Sequence, residues 1–305
     1  MLTSIHLIRP LHSTIERIPL KKPFVGMFAW PVSNQVGESP VWDGYTDTLL
    51  WIDVRGQTVL RLDPARRALT QWELPQVIGA LALVQPQQVL LALKRQLALL
   101  CLDTGTLSLF APIVDEPAGN RLNEGKLSPS GRWFVFGSMD DRPEHKQPTG
   151  SLYRADLQGN VVKLHHGLTI ANGIAWSPDG RTIFFSDSFA GTIWHAVWGE
   201  DEGTMASPLL FAASDEASGR PDGALVDLAG RYVSAGVSAG CINVFGPGGQ
   251  PLLKLALPVR APTMPCVGGV GGSRLFVTSL VRNSWSKDGT FDGCLLDFNR
   301  RAWGI

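Results

Sequence analysis

The stretch Asn172-Gly-Ile-Ala-Trp-Ser-Pro-Asp-Gly-Arg-Thr-Ile-Phe-Phe-Ser186 decides the fold, because the chain repeats it. It reads as an apolar strand, a Pro-Asp-Gly turn and a second strand. The same phrase spans 222–235, with its turn at Leu228-Ala229-Gly230-Arg231, and 123–137, with its turn at Pro129-Ser130-Gly131-Arg132. It recurs at 38–53, in degenerate form at 79–93, and in a last copy that ends Ser273-Arg274-Leu275-Phe276-Val277-Thr278. A third strand-like run follows each copy, at 57–63, 96–103, 150–156, 191–197, 240–245 and 293–298. Units of about 40–50 residues, each a meander of about four short strands, predict a β-propeller, and the six copies predict six blades. One blade cannot bury both its faces, so the blades must stack around an axis and close a ring. Closure needs one chain end to complete the other end's blade, and residues 15–20 are the expected closing strand.

Composition narrows the function. Lys plus Arg balance Asp plus Glu, 27 against 27, so no basic or acidic field points to nucleic acid or an anionic membrane. No apolar run reaches the roughly 18 residues of a membrane helix. The first ten residues lack a basic segment followed by an apolar core, so a secretory signal is not expected and a cytoplasmic setting is. Cys101, Cys241, Cys266 and Cys294 form no CxxC pair and read as free thiols. No linker divides the chain, so one domain is expected over 1–305, with about 1–30 as an N-terminal extension. A monomer or weak homo-oligomer is expected.

Aligning the copies on their turns isolates a polar column. Eight places before the turn glycines Gly131, Gly180 and Gly230 stand Asn123, Asn172 and Asp222. The weaker copies place Glu38, Gly79 and Pro265 there. The column heads the innermost strand of each blade, so its members should ring the channel axis. Asn-Gly and Asp-Gly are common turn dipeptides, and Asp179 in Pro178-Asp179-Gly180 is read as only that. A turn role does not account for oxygen-bearing side chains at four equivalent positions. Glu, Asp and Asn offer hard oxygen ligands suited to Ca²⁺, Mg²⁺ or Mn²⁺, with Zn²⁺ and Fe²⁺ as open alternatives. The six histidines form no HxxxH or HxH pair, which argues against a structural zinc site. No GxSxG elbow marks a serine nucleophile, and Cys266 reads as a small buried residue.

Gly37-Glu-Ser-Pro-Val-Trp42, Asn123-Glu-Gly-Lys126, Asn172-Gly173 and Pro221-Asp-Gly223 occur in this order along the chain. Together with the repeats, they resemble the SMP-30/gluconolactonase/luciferin-regenerating-enzyme family, which includes regucalcin and bacterial sugar lactonases. The resemblance implies a six-bladed propeller that hydrolyses a sugar 1,4- or 1,5-lactone with one divalent metal, calcium first among the candidates. It makes Glu38, Asn172 and Asp222 the metal ligands and Asp222 also the general base. Arg121 and Asn123 would contact substrate oxygens, the Arg through its forked donors. Glu124 stands where the family commonly has Asp, and is expected to contact substrate with them. The family's acidic residue after a Gly-Thr-Met segment matches Asp140 or Asp141 here, and Asp141 is taken as the substrate contact. The polar loop 140–149 is expected to overhang the channel mouth. Two alternatives stay open: a calcium-binding propeller without catalysis, and a hydrolase of another lactone or ester on the same site.

Overall fold

The computed structural model describes residues 5–282, 284–286 and 291–304; the first four residues of the N-terminal extension lie outside them. Six antiparallel sheets follow one another along the chain and stand radially as the blades of a propeller. The innermost strands are Gly37–Asp43, Ile78–Gln85, Asn120–Leu127, Ala171–Trp176, Pro221–Val226 and Pro262–Gly268. Each pairs with the next strand of its own blade across the hairpin turns that defined the repeat.

The apolar runs are explained by burial on both sides of each blade. Along Thr48–Asp53, Leu50 and Ile52 join the cluster shared with blade 2, while Leu49 and Trp51 join the one shared with blade 6. Alternate residues of a strand point to opposite faces, so a strand with a neighbour on each side is apolar throughout. Six such clusters lie between successive blades and make the ring one continuous core.

Ring closure differs from the expected one. The fourth strand of blade 6 is Met27–Trp30, which pairs with Leu295–Asn299. Residues 15–20 contribute only Ile18–Pro19, a fifth strand outside it. Burial is the reason: Met27, Ala29 and Trp30 are fully enclosed, whereas Ile18 is 42% exposed. Before closing the ring, the N-terminal segment runs along the rim. Ile5–Leu7 pairs with the outer strand of blade 2 and Leu11–Thr14 with that of blade 1. These additions cover backbone edges that would otherwise offer free N–H and C=O groups to another chain.

The register also moves one member of the polar column. Gly37 pairs with Asp53, Pro221 with Gly236 and Pro262 with Ser279. The blade 6 counterpart of Glu38 and Asp222 is therefore Thr263, not Pro265. The turn of that blade, at Gly269–Ser273, holds a short 3₁₀ helix, Val270–Gly272, which displaced the sequence alignment. Asp179 behaves as a turn residue, with Oδ1 accepting from Ser177 Oγ at 2.6 Å and Arg181 N at 3.1 Å.

Candidate active site

Every inner strand breaks its pairing at the same level. The irregularities fall between Glu38 and Val41, Ile78 and Ala80, Asn123 and Gly125, Asn172 and Ala175, Pro221 and Ala224, and Pro262 and Pro265. A bulge re-aims side chains beside it. Here it turns the polar column toward the channel. Ser39, Glu124 and Gly173, each following a column residue, take positive φ of 49°, 41° and 66°. For Ser39 and Glu124 this conformation costs about 1–3 kcal/mol each, so surrounding contacts must hold it.

Those contacts are visible. Asp53, at the end of its strand, accepts from Gln35 N at 2.8 Å and Val36 N at 2.9 Å. Asp187, its equivalent in blade 4, accepts from Thr169 N at 2.7 Å and Ile170 N at 3.1 Å. Each carboxylate pins the loop that delivers a column residue, Glu38 in one blade and Asn172 in the other.

The residues singled out from sequence meet in one network. Asp141 Oδ1 accepts from Arg121 Nε at 3.0 Å and from Arg55 Nη2 at 2.6 Å. Arg121 Nη1 donates to Asn123 Oδ1 at 2.7 Å, and Asn123 Nδ2 donates to Asn172 Oδ1 at 2.9 Å. Asn172 Nδ2 donates to Ser188 Oγ at 2.7 Å, and Ser188 Oγ donates to the carbonyl of Pro221, the neighbour of Asp222, at 2.5 Å. Arg121 is buried, and its Nη2 has no partner among the described contacts. Burial weakens its hold on a proton, an effect opposed first by Asp141.

Glu38 and Asp222 are the uncompensated part of the site. Glu38 accepts from Ser39 N at 3.0 Å. Burial pushes its carboxyl well above the usual range, and the charges of Asp222 and Glu124 push it further. Asp222 is raised in the same direction, by burial first and Glu124 second. Two buried carboxylates, the charge of Asp222 acting on Glu38, form a site that a cation would relieve. Among the described residues no group of three or more His, Cys, Asp or Glu side chains is placed to hold a metal ion. Asn172, linked through Ser188 to the carbonyl of Pro221 next to Asp222, brings an amide oxygen into the same network. The donor set is all oxygen, which fits a hard divalent cation.

The structure adds to two sequence expectations. Glu124 has both carboxylate oxygens occupied, by Gly173 N at 2.7 Å and Ile174 N at 2.6 Å. It clasps blade 3 to blade 4 just beyond Asn172, a structural role the sequence reading did not give it. Asp140 is held by Arg142, at 2.6 Å from its Nη2, and by Gln147 N at 2.7 Å. Those bonds fold the loop 140–149 onto Asp140 and leave Asp141 to Arg121. Sequence reasoning missed Arg55, Asp53, Asp187 and Ser188. The two pinning aspartates carried a signal, since both end the second strand of their repeat. Burial pushes the Cys266 thiol up to about 11, so it offers no thiolate nucleophile near neutral pH.

Residues 36–281 match the family model described as the SMP-30/Gluconolactonase/LRE-like region. The chain belongs to this family. Its SMP-30/gluconolactonase relatives include an L-arabinolactonase of Azospirillum brasilense, 32% identical over 81% of this chain and 81% of that protein. A regucalcin of Xenopus laevis is 30% identical over 80% of this chain and 83% of its own length. A crystal structure of a calcium-binding protein, regucalcin, from Agrobacterium tumefaciens superposes with a TM-score of 0.81 at 27% identity, covering 88% of this chain and 91% of that one. The matched region contains the whole polar network and excludes the N-terminal rim segment.

Proposed function

We propose that this protein hydrolyses a sugar 1,4- or 1,5-lactone to the aldonic acid at the mouth where the polar column converges. The observation that carries the proposal is the uncompensated pair Glu38 and Asp222, set beside Asn172 and the Arg121–Asn123 arm. Relatives named as sugar lactonases support the reaction class. Glu38, Asn172 and Asp222 would hold a divalent cation, calcium being favoured by the all-oxygen donors and by the calcium-binding neighbour. When bound, such an ion polarises a carbonyl and acidifies water.

The chain's own residues do the rest. Asp222 takes a proton from the attacking water. Its enclosure makes it a stronger base than an exposed aspartate, which suits that task. Arg121 is fixed through Nε and Nη1, so Nη2 is preset toward an oxygen-rich ligand with little ordering left to do on binding. Asn172 is oriented by Asn123 and Ser188, which keeps its amide oxygen at the site.

A pH-stat assay tests this over gluconolactone, xylonolactone, arabinolactone and an aromatic lactone, each with Ca²⁺, Zn²⁺, Mn²⁺ or chelator. Turnover of a sugar lactone that chelator removes is expected. Cation binding with no turnover of any lactone would favour the non-catalytic calcium-binding alternative. Turnover confined to the aromatic lactone would redirect the site to another ester.

A further inference from the structure

The channel has a second mouth. The inner strands run away from the polar column, and four residues on from Glu38, Asn123 and Asp222 they carry Trp42, Leu127 and Val226. At about 3.3 Å per strand residue, this places the two levels at most about 13 Å apart. At the far end, among the hairpin turns, lies a cavity of about 690 Å³ lined by Trp42, Leu81, Leu127, Leu225, Val226 and Val267. Most of these side chains are only half-buried, and Trp42 is held flat against Phe276 at 5.6 Å. The volume falls within the range of small-molecule sites, roughly 300–1,000 Å³.

Polar and charged groups interrupt this apolar wall. Lys126 lines the cavity, and of its three ammonium donors the described contacts take up one, to the carbonyl of Ala224 at 2.6 Å. The nearby Glu124 has both oxygens committed to backbone N–H groups and gives Lys126 no hydrogen bond, though its charge and that of Glu38 act on the ammonium. Ser39 is 98% buried by its 2% exposure, lines the same cavity, and its hydroxyl has no hydrogen-bond partner. Of the other charged lining residues, Asp227 is already paired with Arg231 at 2.6 Å and Arg300 gives its Nε to the carbonyl of Gly272 at 2.6 Å. An apolar chamber with one available ammonium and one available hydroxyl matches a ligand with an apolar body and a single anionic head.

We propose that this far chamber is a second binding site, for a small amphipathic carboxylate whose head meets Lys126 and Ser39 and whose body lies against Trp42, Leu225 and Val226. The chamber opens at the other end of the channel from the lactone-binding mouth, with Ser39, whose N–H donates to Glu38 at 3.0 Å, standing between the two, and it does not depend on the activity proposed there.

Calorimetric titration of the full-length protein tests it, with octanoate for an aliphatic source, 3-phenylpropionate for an aromatic one and 1-octanol as the uncharged control. At least one carboxylate should bind with sub-millimolar Kd, unchanged by chelator and by saturating gluconolactone. Lys126→Met should weaken the carboxylate at least about tenfold, the loss expected for a hydrogen bond to a charged group, and leave octanol unchanged. Ser39→Ala should weaken it about fivefold. Val226→Phe, at the half-buried rim, should weaken all three and carries the test if Lys126→Met does not fold. Absence of binding by either carboxylate would overturn the proposal. So would wild-type affinity in Lys126→Met, or binding that chelator abolishes, which would put the anion at the acidic mouth.

Discussion

Replacing Asp222 with Asn should move activity and stability in opposite directions. The variant keeps the shape of the side chain and removes its charge and its basicity. Loss of a general base costs about two to four orders of magnitude, so turnover of the best lactone should fall at least about 100-fold. Stability should rise, because burial and the charge of Glu124 already work against an ionised Asp222. Both Glu38 and Asp222 have folded-state pKa values above their unfolded ones. The folded chain then binds more protons than the unfolded chain, so without metal its stability falls as pH rises above about 4. Removing one of the two charges is expected to return about 1–2 kcal/mol at pH 8. For a chain of this size that is a rise in Tm of about 2–4 °C. A pH-stat assay reads the first effect and thermal melts in chelator at pH 5 and pH 8 read the second. The gain should be larger at pH 8, and added Ca²⁺ should stabilise the wild type more than the variant. Near-normal turnover in Asp222→Asn would refute the base assignment. A variant less stable than wild type in chelator at pH 8 would refute the uncompensated carboxylate pair.

Glu124 is raised to about 7, chiefly by burial, so its contribution to stability should decline as pH rises from about 4.3 through about 7. Urea midpoints in chelator should show a shallower decline for Glu124→Gln, together with a loss of about 1–3 kcal/mol at pH 5 from the one N–H it can no longer receive. Gly173→Ala should cost about 2 kcal/mol or more, since the added carbon would lie 2.3 Å from Tyr232 Oη and 2.5 Å from Ser186 Oγ at a φ of +66°; an unchanged midpoint by urea denaturation would contradict the close approach. Deleting residues 1–16 uncovers the outer strands of blades 1 and 2, so light scattering should show concentration-dependent association while the far-UV spectrum stays that of a β protein.

The repeat was legible because it is written in local chemistry. Turn residues at fixed offsets and apolar runs between them are dictated by backbone conformation and by burial on two faces, and both act within one blade. The column residues Glu38, Asn123, Asn172 and Asp222 were legible for the same reason, since equivalent positions in a ring share an axis. What a side chain does once it reaches that axis depends on its neighbours across blades. Glu124 was read as a substrate contact, and its grip on the backbone N–H groups of Gly173 and Ile174 in the next blade left no trace in the sequence. Asp141 was separated from Asp140 only when Arg121 and Arg142 each chose one of them. Thr263 took the place expected for Pro265 because a 3₁₀ turn shifts the count in blade 6. Sequence alone determined the ring, its blade number and the polar level within it. Only the tertiary structure decided which strand closes the ring, which carboxylates stay uncompensated and what lies at the channel's other end, because hydrogen-bond partners and burial are settled between segments far apart in the chain.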